Sequence, residues 1–211
     1  MGRLRVVGSR WHVCVCAVLV ASVMVTGARA QTTLTPKLYF VAIGDVPADT
    51  ISGLASYFQT RFGVPIETLS PLASEGATFD RQRSQFVAER LIQAMWSRYP
   101  VLAKSPRTRL IGITPLDMYI EAMRTQWLFA FSTRSTDQRY AVVSYARMDP
   151  THLGEARNDT LLRSRLRKMV ARNIGIMYFG LPTSENPRSV LFRNILGVDD
   201  LDRMTEDFSP K

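Results

Sequence analysis

The chain has almost none of the side chains that bind transition metals or form disulfides. Its 211 residues include two cysteines, Cys14 and Cys16, and two histidines, His12 and His152. Three of these four fall within the first 30 positions, so residues 31–211 hold one histidine and no cysteine. A disulfide framework is excluded there, and a buried core must hold the fold. A three-histidine zinc site is excluded by count, and no spacing supports a site built from His152 and carboxylates. Internal repeats and low-complexity segments are also missing. Basic residues are not interleaved with aromatics as a strand-binding groove requires, so no nucleic-acid partner is expected.

What is present begins with an export signal. Arg3, Arg5 and Arg10 precede an apolar run over 13–25 that only Ser22 interrupts. Ala28-Arg29-Ala30 then supplies small residues at cleavage spacing, with Gln31 as the first mature residue. The run is shorter than the roughly 20 residues of a membrane span. Neither cysteine follows a lipobox. The expected organisation is a signal peptide over 1–30, a linker over 31–36 and one domain over 37–208, with a small C-terminal subdomain after about 180. The expected location is secreted or periplasmic, with no membrane span after cleavage; the alternative is a chain tethered by an uncleaved signal. Removing four arginines from 27 basic residues leaves 23 against 18 acidic ones, about +5. That excess suits a solvated surface.

Hydrophobic patterning predicts alternating strands and helices. Continuous apolar runs place strands at 38–43, 64–69, 109–113, 127–131 and 140–146. Ile51, Leu54, Ala55 and Phe58 fall at helical spacing after Pro47, and Gly63 stops that helix. A second helix is predicted over 80–99. A long third one runs from a cap at Asn158 or Asp159 to Met177, with Leu162, Leu166 and Val170 on its apolar face. Arg163, Arg165, Arg167, Lys168 and Arg172 are expected on its solvated outer face. Gly180 and Pro182 end it. A short helix is expected near 199–204. The alternation argues an α/β sandwich with a mixed sheet.

The stretch Asn173-Ile174-Gly175-Ile176-Met177-Tyr178-Phe179-Gly180-Leu181-Pro182-Thr183 has the spacing of the metzincin zinc-peptidase pattern H-E-x-x-H-x-x-G-x-x-H. In that pattern two histidines one helical turn apart face one ion, a glycine turns the chain, and a third histidine closes the site. Here the glycine is kept as Gly180. The ligand positions hold Asn173, Met177 and Thr183, and Ile174 stands where the general base would be. Ile43-Gly44-Asp45-Val46, Phe79-Asp80-Arg81-Gln82-Arg83-Ser84-Gln85-Phe86, Leu110-Ile111-Gly112-Ile113-Thr114 with Asp117 and Tyr119, and Ala141-Val142-Val143-Ser144 match further ordered motifs. With these, the chain resembles the archaemetzincins from about Leu38 to Phe208.

That resemblance implies a metzincin-like three-layer α/β sandwich. Its five-stranded sheet is mixed and mostly parallel with an antiparallel edge strand, beside a long active-site-type helix. It also implies a second, structural zinc held partly by cysteines, at positions where this chain has Ser184 and Ser189; Leu191 stands at the methionine-turn position. Both metal sites are then lost, and no cofactor is expected. An amide and a thioether are poor zinc ligands, and Ile174 cannot take a proton from water. Ser184 and Ser189 lack a nucleophile-elbow sequence, and His152 has no triad spacing to them.

By the same resemblance, Trp127, Leu128, Phe129, Ala130 and Phe131 form the edge strand that rims the cleft. They would pair with an extended peptide or protein segment, a mode that needs no metal; otherwise they pack the core. The expected function is therefore an exported, non-catalytic binding module that uses a former substrate cleft. Two alternatives are a metallopeptidase or other hydrolase with a non-standard site, and a structural envelope protein.

Overall fold

The centre of the sheet is set by Leu38-Tyr39-Phe40-Val41-Ala42, five consecutive buried residues of β1 (Lys37–Ala42). Alternate side chains of a strand point to opposite faces, so a strand apolar at every position must be covered on both sides. Leu38, Phe40 and Ala42 enter one core cluster and Tyr39, Val41 and Ile43 the other. A computed structural model describes Gly2, residues 35–74 and residues 79–210. The signal-peptide reading of 1–30 thus falls, Gly2 aside, outside the described residues. The chain divides after Thr33, and the unit Leu34–Lys211 carries all the elements named here.

β1 pairs in parallel with β2 (Ile66–Thr68) and with β5 (Thr108–Thr114). β5 pairs in parallel with β8 (Tyr140–Ser144), and β7 (Ser132–Arg134) closes the edge antiparallel to β8. The five-stranded order is β2-β1-β5-β8-β7, mostly parallel with one antiparallel edge. One face carries α1 (Ala48–Phe62) and α4 (Asp159–Met177); the other carries α2 (Ala88–Arg98), followed by the short α3 (Pro100–Lys104). α1 buries Ile51, Leu54, Ala55 and Phe58, the residues its periodicity singled out. α4 starts where predicted, with the Asn158 side chain accepting from the Leu161 N–H. Gly180, at φ 67°, takes the left-handed conformation that a side chain would resist, and the Leu181 N–H reaches back to the Gly175 carbonyl.

Three predictions need correction. The helix predicted over 80–99 begins only at Ala88. Before it, β3 (Phe79–Asp80) and β4 (Gln85–Val87) form a hairpin, to which β6 (Met118–Tyr119) adds in parallel. The Asp80 carboxylate accepts from the Gln82 and Arg83 N–H groups, and Ser84 takes a positive φ, so the chain turns back there. Second, residues 127–131 are not a strand; the edge strand follows them at β7. At Leu128 the carbonyl accepts from the Arg83 and Gln85 side chains rather than from a neighbouring strand.

Third, α4 has no wholly solvated basic face. Arg165, Lys168 and Arg172 are buried, because the segment after Gly180 lies across that side of the helix. Arg165 grips Asp202 through Nε and Nη2 (2.8 and 2.6 Å) and donates to the Met148 carbonyl (2.8 Å). Asp202 belongs to α5 (Val198–Arg203). Lys168 Nζ donates to the Leu201 carbonyl (2.8 Å), and Arg172 Nη1 to the carbonyls of Val190 and Phe192.

This covering requires a bare backbone at Gly175. A Cβ there would lie 2.7 Å from Phe208 Cε1 and 3.0 Å from Leu191 Cδ2. Alanine would gain about 0.5–1 kcal/mol of helix preference but lose about 1–3 kcal/mol to overpacking. Gly175→Ala is therefore expected to destabilise the protein by about 1 kcal/mol net in a denaturant titration. A variant at least as stable as the parent would show that Phe208 is not held against the helix.

Candidate functional site

The residues at the zinc-pattern positions are put to structural use. Asn173 is fully buried. Its Nδ2 donates to the Met169 carbonyl (2.8 Å) and to Ser132 Oγ (3.0 Å), while its Oδ1 accepts from Arg134 Nη1 (3.2 Å). Ile174 and Met177 are buried in the core cluster between α4 and the sheet. Thr183 is exposed beyond the helix end. Ser184 pairs through its backbone with Leu191 and Arg193, and buried Ser189 donates Oγ–H to the Phe208 carbonyl (2.6 Å). Asn173 thus meets the edge strand, whereas Thr183, Ser184 and Ser189 belong to the segment that closes over the helix.

This donor set does not fit zinc. The only side-chain oxygen at Asn173 is taken by a guanidinium, whose positive charge would repel a cation at that place. Met177 offers a thioether from within an apolar core. Among the described residues, no three His, Cys, Asp or Glu side chains come together as a metal site would need.

What lies beside Asn173 is a cavity of about 550 Å³, within the usual range for ligand sites. One wall is Trp127, Leu128, Phe129, Ala130 and Phe131; β7 supplies Ser132, Thr133 and Arg134; α4 contributes Met169 and Arg172. Arg193, Ile195 and Leu196 come from the C-terminal segment. The predicted peptide-rim residues therefore do line a cleft, as a loop rather than a strand. Trp127 and Leu128 expose 45% and 77% of their surface, so the rim is apolar and open.

That loop is fixed by side chains from two other motifs. Gln85 Nε2 donates to Asp117 Oδ2 (3.1 Å) and to the Leu128 carbonyl (3.1 Å). Arg147 grips Asp117 through Nε and Nη2 and lies over the Phe129 ring, 4.7 Å from its centroid. The Asp117 partnership holds the Arg147 guanidinium pKa above its ordinary value. Arg83 stacks on Tyr119, whose hydroxyl donates to Asp80 Oδ2 (2.8 Å). The Ala130 N–H donates to the Met118 carbonyl, and the Ser144 N–H to the Phe131 carbonyl.

Part of the β7 backbone has no partner among the described residues. Bonds from the Ser144 N–H to Phe131 and from the Ser135 N–H to Tyr140 fix which residues face β8. Ladder pairs alternate, so Thr133 points inward and Ser132 and Arg134 point their N–H and C=O groups out of the sheet. Two guanidiniums flank this edge. Burial lowers the Arg134 pKa, and burial followed by the Arg134 charge lowers that of Arg172 to about 10. Sequence reasoning missed both as site residues. Periodicity could not find Arg172, which sits on a helix face that looked solvated, and Arg134 lay between two runs read as strands.

Truncating Asn173 removes the acceptor of Arg134 and the donor to Ser132. Asn173→Ala is expected to cost about 1–3 kcal/mol in a denaturant titration. No loss would mean that Arg134 does not depend on the amide.

No family model matches the chain. An archaemetzincin of Thermococcus kodakarensis is 29% identical to it over 171 residues, covering 78% of this chain and 87% of that protein. One from Pyrococcus abyssi is 26% identical over 160 residues, covering 73% and 80%. Among solved structures, a zinc-dependent peptidase from Methanocorpusculum labreanum superposes with a TM-score of 0.68 at 21% identity, over 81% of this chain and 95% of that one. The archaemetzincin of Archaeoglobus fulgidus, complexed with malonate, gives 0.63 at 20% identity, over 81% and 94%. The sheet order and the helices of this chain are those of that fold. In sequence along most of its length, and in architecture, the chain is a homologue of the archaemetzincins.

Proposed function

We propose that the protein is an exported, non-catalytic archaemetzincin homologue that binds an extended peptide or protein segment in the cleft between the 127–131 loop, β7 and α4. The observation that carries this reading is the state of Asn173. Its amide is spent on Met169, Ser132 and Arg134, in a place where hydrolysis would need a metal ligand. Ile174, in the core, offers no base to activate water. The open edge of β7 and the apolar rim beside it support peptide capture, because strand addition draws on backbone hydrogen bonds and on pockets for alternate side chains. Export rests on the pattern of residues 1–30 alone.

The purified chain, offered zinc, is expected to hold no stoichiometric metal by elemental analysis and to show no chelator-sensitive cleavage of a peptide library. One tightly held zinc per chain, or metal-dependent cleavage, would overturn the non-catalytic reading. In the same library, binding of extended peptides is expected. Trp127→Ala should weaken it by about tenfold, the usual scale for losing an aromatic anchor, and Leu128→Asp should also weaken it. Trp127 is 45% and Leu128 77% exposed, so thermal stability should hold. Unchanged binding in both variants would remove the cleft from the mechanism.

A further inference from the structure

The cavity contains cationic side chains, two of which find no carboxylate among the described residues. No Asp or Glu lines it, whereas Arg134, Arg172 and Arg193 do. Arg193 stands exposed at the rim and pairs with Glu185 (2.8 Å). The other two have no carboxylate partner among the described residues. Arg172 is 93% removed from solvent, being 7% exposed. Its Nη1 serves the carbonyls of Val190 and Phe192, and its Nε and Nη2 find no acceptor among the described residues. Arg134 spends Nε on Gln138 and Nη1 on Asn173, which leaves Nη2.

Two nearby cations without an anion are costly to hold in a half-closed, apolar-walled site, and the cost falls when an anion arrives. Guanidinium forks match a carboxylate in plane and spacing, and such charge-assisted bonds strengthen as water is excluded. Arg134 itself belongs to the open edge strand, so an anion held by it would be continuous with a peptide lying along β7. Phe129, Phe131 and Ile195 offer an apolar surface for the side chain next to that anion.

From this geometry we infer that the cleft selects a peptide carboxylate, gripped between Arg134 and Arg172. The inference rests on the peptide-binding reading above and names the group that the cleft selects. The carboxylate comes either from a free C-terminus or from an Asp or Glu side chain.

The test uses the full chain with N-acetyl-leucine and its amide, and with one pentapeptide in three forms: free acid without acidic side chains, C-terminal amide, and amide with an internal glutamate. Binding is read by calorimetry at low and high salt. N-acetyl-leucine is expected to bind about tenfold or more tightly than its amide, and less tightly as salt rises. Among the pentapeptides, the free acid alone binding assigns the C-terminus, and the internal-glutamate form binding assigns the side chain. Arg134→Gln and Arg172→Lys should each erase the preference for acid over amide. Arg172 also holds backbone carbonyls, so Arg134→Gln keeps the test decisive if the other variant fails to fold.

Acid and amide binding alike would overturn the inference and leave the peptide cleft standing. Tight binding of N-acetyl-leucine with no binding by any pentapeptide would keep the carboxylate grip and overturn the extended-peptide reading. Binding by neither probe would overturn both. Inorganic phosphate displacing the free-acid peptide more effectively than acetate would overturn the assignment to a carboxylate.

Discussion

The protein depends on three cations inside α4 finding oxygen. An unpaired buried ion costs several kcal/mol, and each hydrogen bond to a charged group returns about 1.5–3 kcal/mol. Arg165 is the best compensated, with both oxygens of Asp202 and the Met148 carbonyl. Lys168 has one carbonyl, with Asp202 and Glu206 near enough to favour its charge against the cost of burial. Arg172 has only carbonyls, and burial and Arg134 both work against its charge. These bonds tie α4 to the segment that follows it, because nearly all of the oxygens they use lie in residues 190–202. The chain here is held where a disulfide or a structural metal could otherwise have held it.

The same ties shape the cleft. Arg172 is drawn toward Val190 and Phe192 at its Nη1 and also lines the cavity. Asn173, the next residue, turns to β7 and holds Arg134 in place. One turn of helix therefore sets both guanidiniums at the open edge of the sheet. Across the cavity, the 127–131 segment is a loop, and Gln85, Arg147 and Met118 fix it through a carbonyl, an aromatic face and an N–H. A wall ordered before the ligand arrives loses little further entropy on binding, which favours affinity without a large contact area.

Peptidase folds separate the scaffold from the chemistry it hosts. Here the segments outside the helix that resemble archaemetzincin motifs make contacts of their own. Asp80, Arg83, Gln85, Asp117 and Tyr119 converge on one network beneath the cleft wall. Their role is positional, and it does not depend on what stands at 173, 177 or 183.

The sequence by itself determined the elements whose burial pattern is local. β1, β5 and β8 have continuous apolar centres at 38–42, 110–113 and 140–143, and α1 and α4 have stops and periodicities that name their ends to within a residue or two. It also determined, by counting histidines and cysteines, that no three-histidine site could exist in residues 31–211. Tertiary structure decided the rest. Whether residues 80–87 continue a helix depended on Asp80 bonding to backbone N–H groups and on Ser84 accepting a positive φ. The 127–131 run looks like a strand in sequence, but in the fold its Leu128 carbonyl is taken by the side chains of Arg83 and Gln85, 45 and 43 residues earlier. The burial of Arg165, Lys168 and Arg172 depended on a segment that returns only after Gly180. An arginine at helical spacing looks the same whether water or distant carbonyls surround it, and only the fold brings those carbonyls to it.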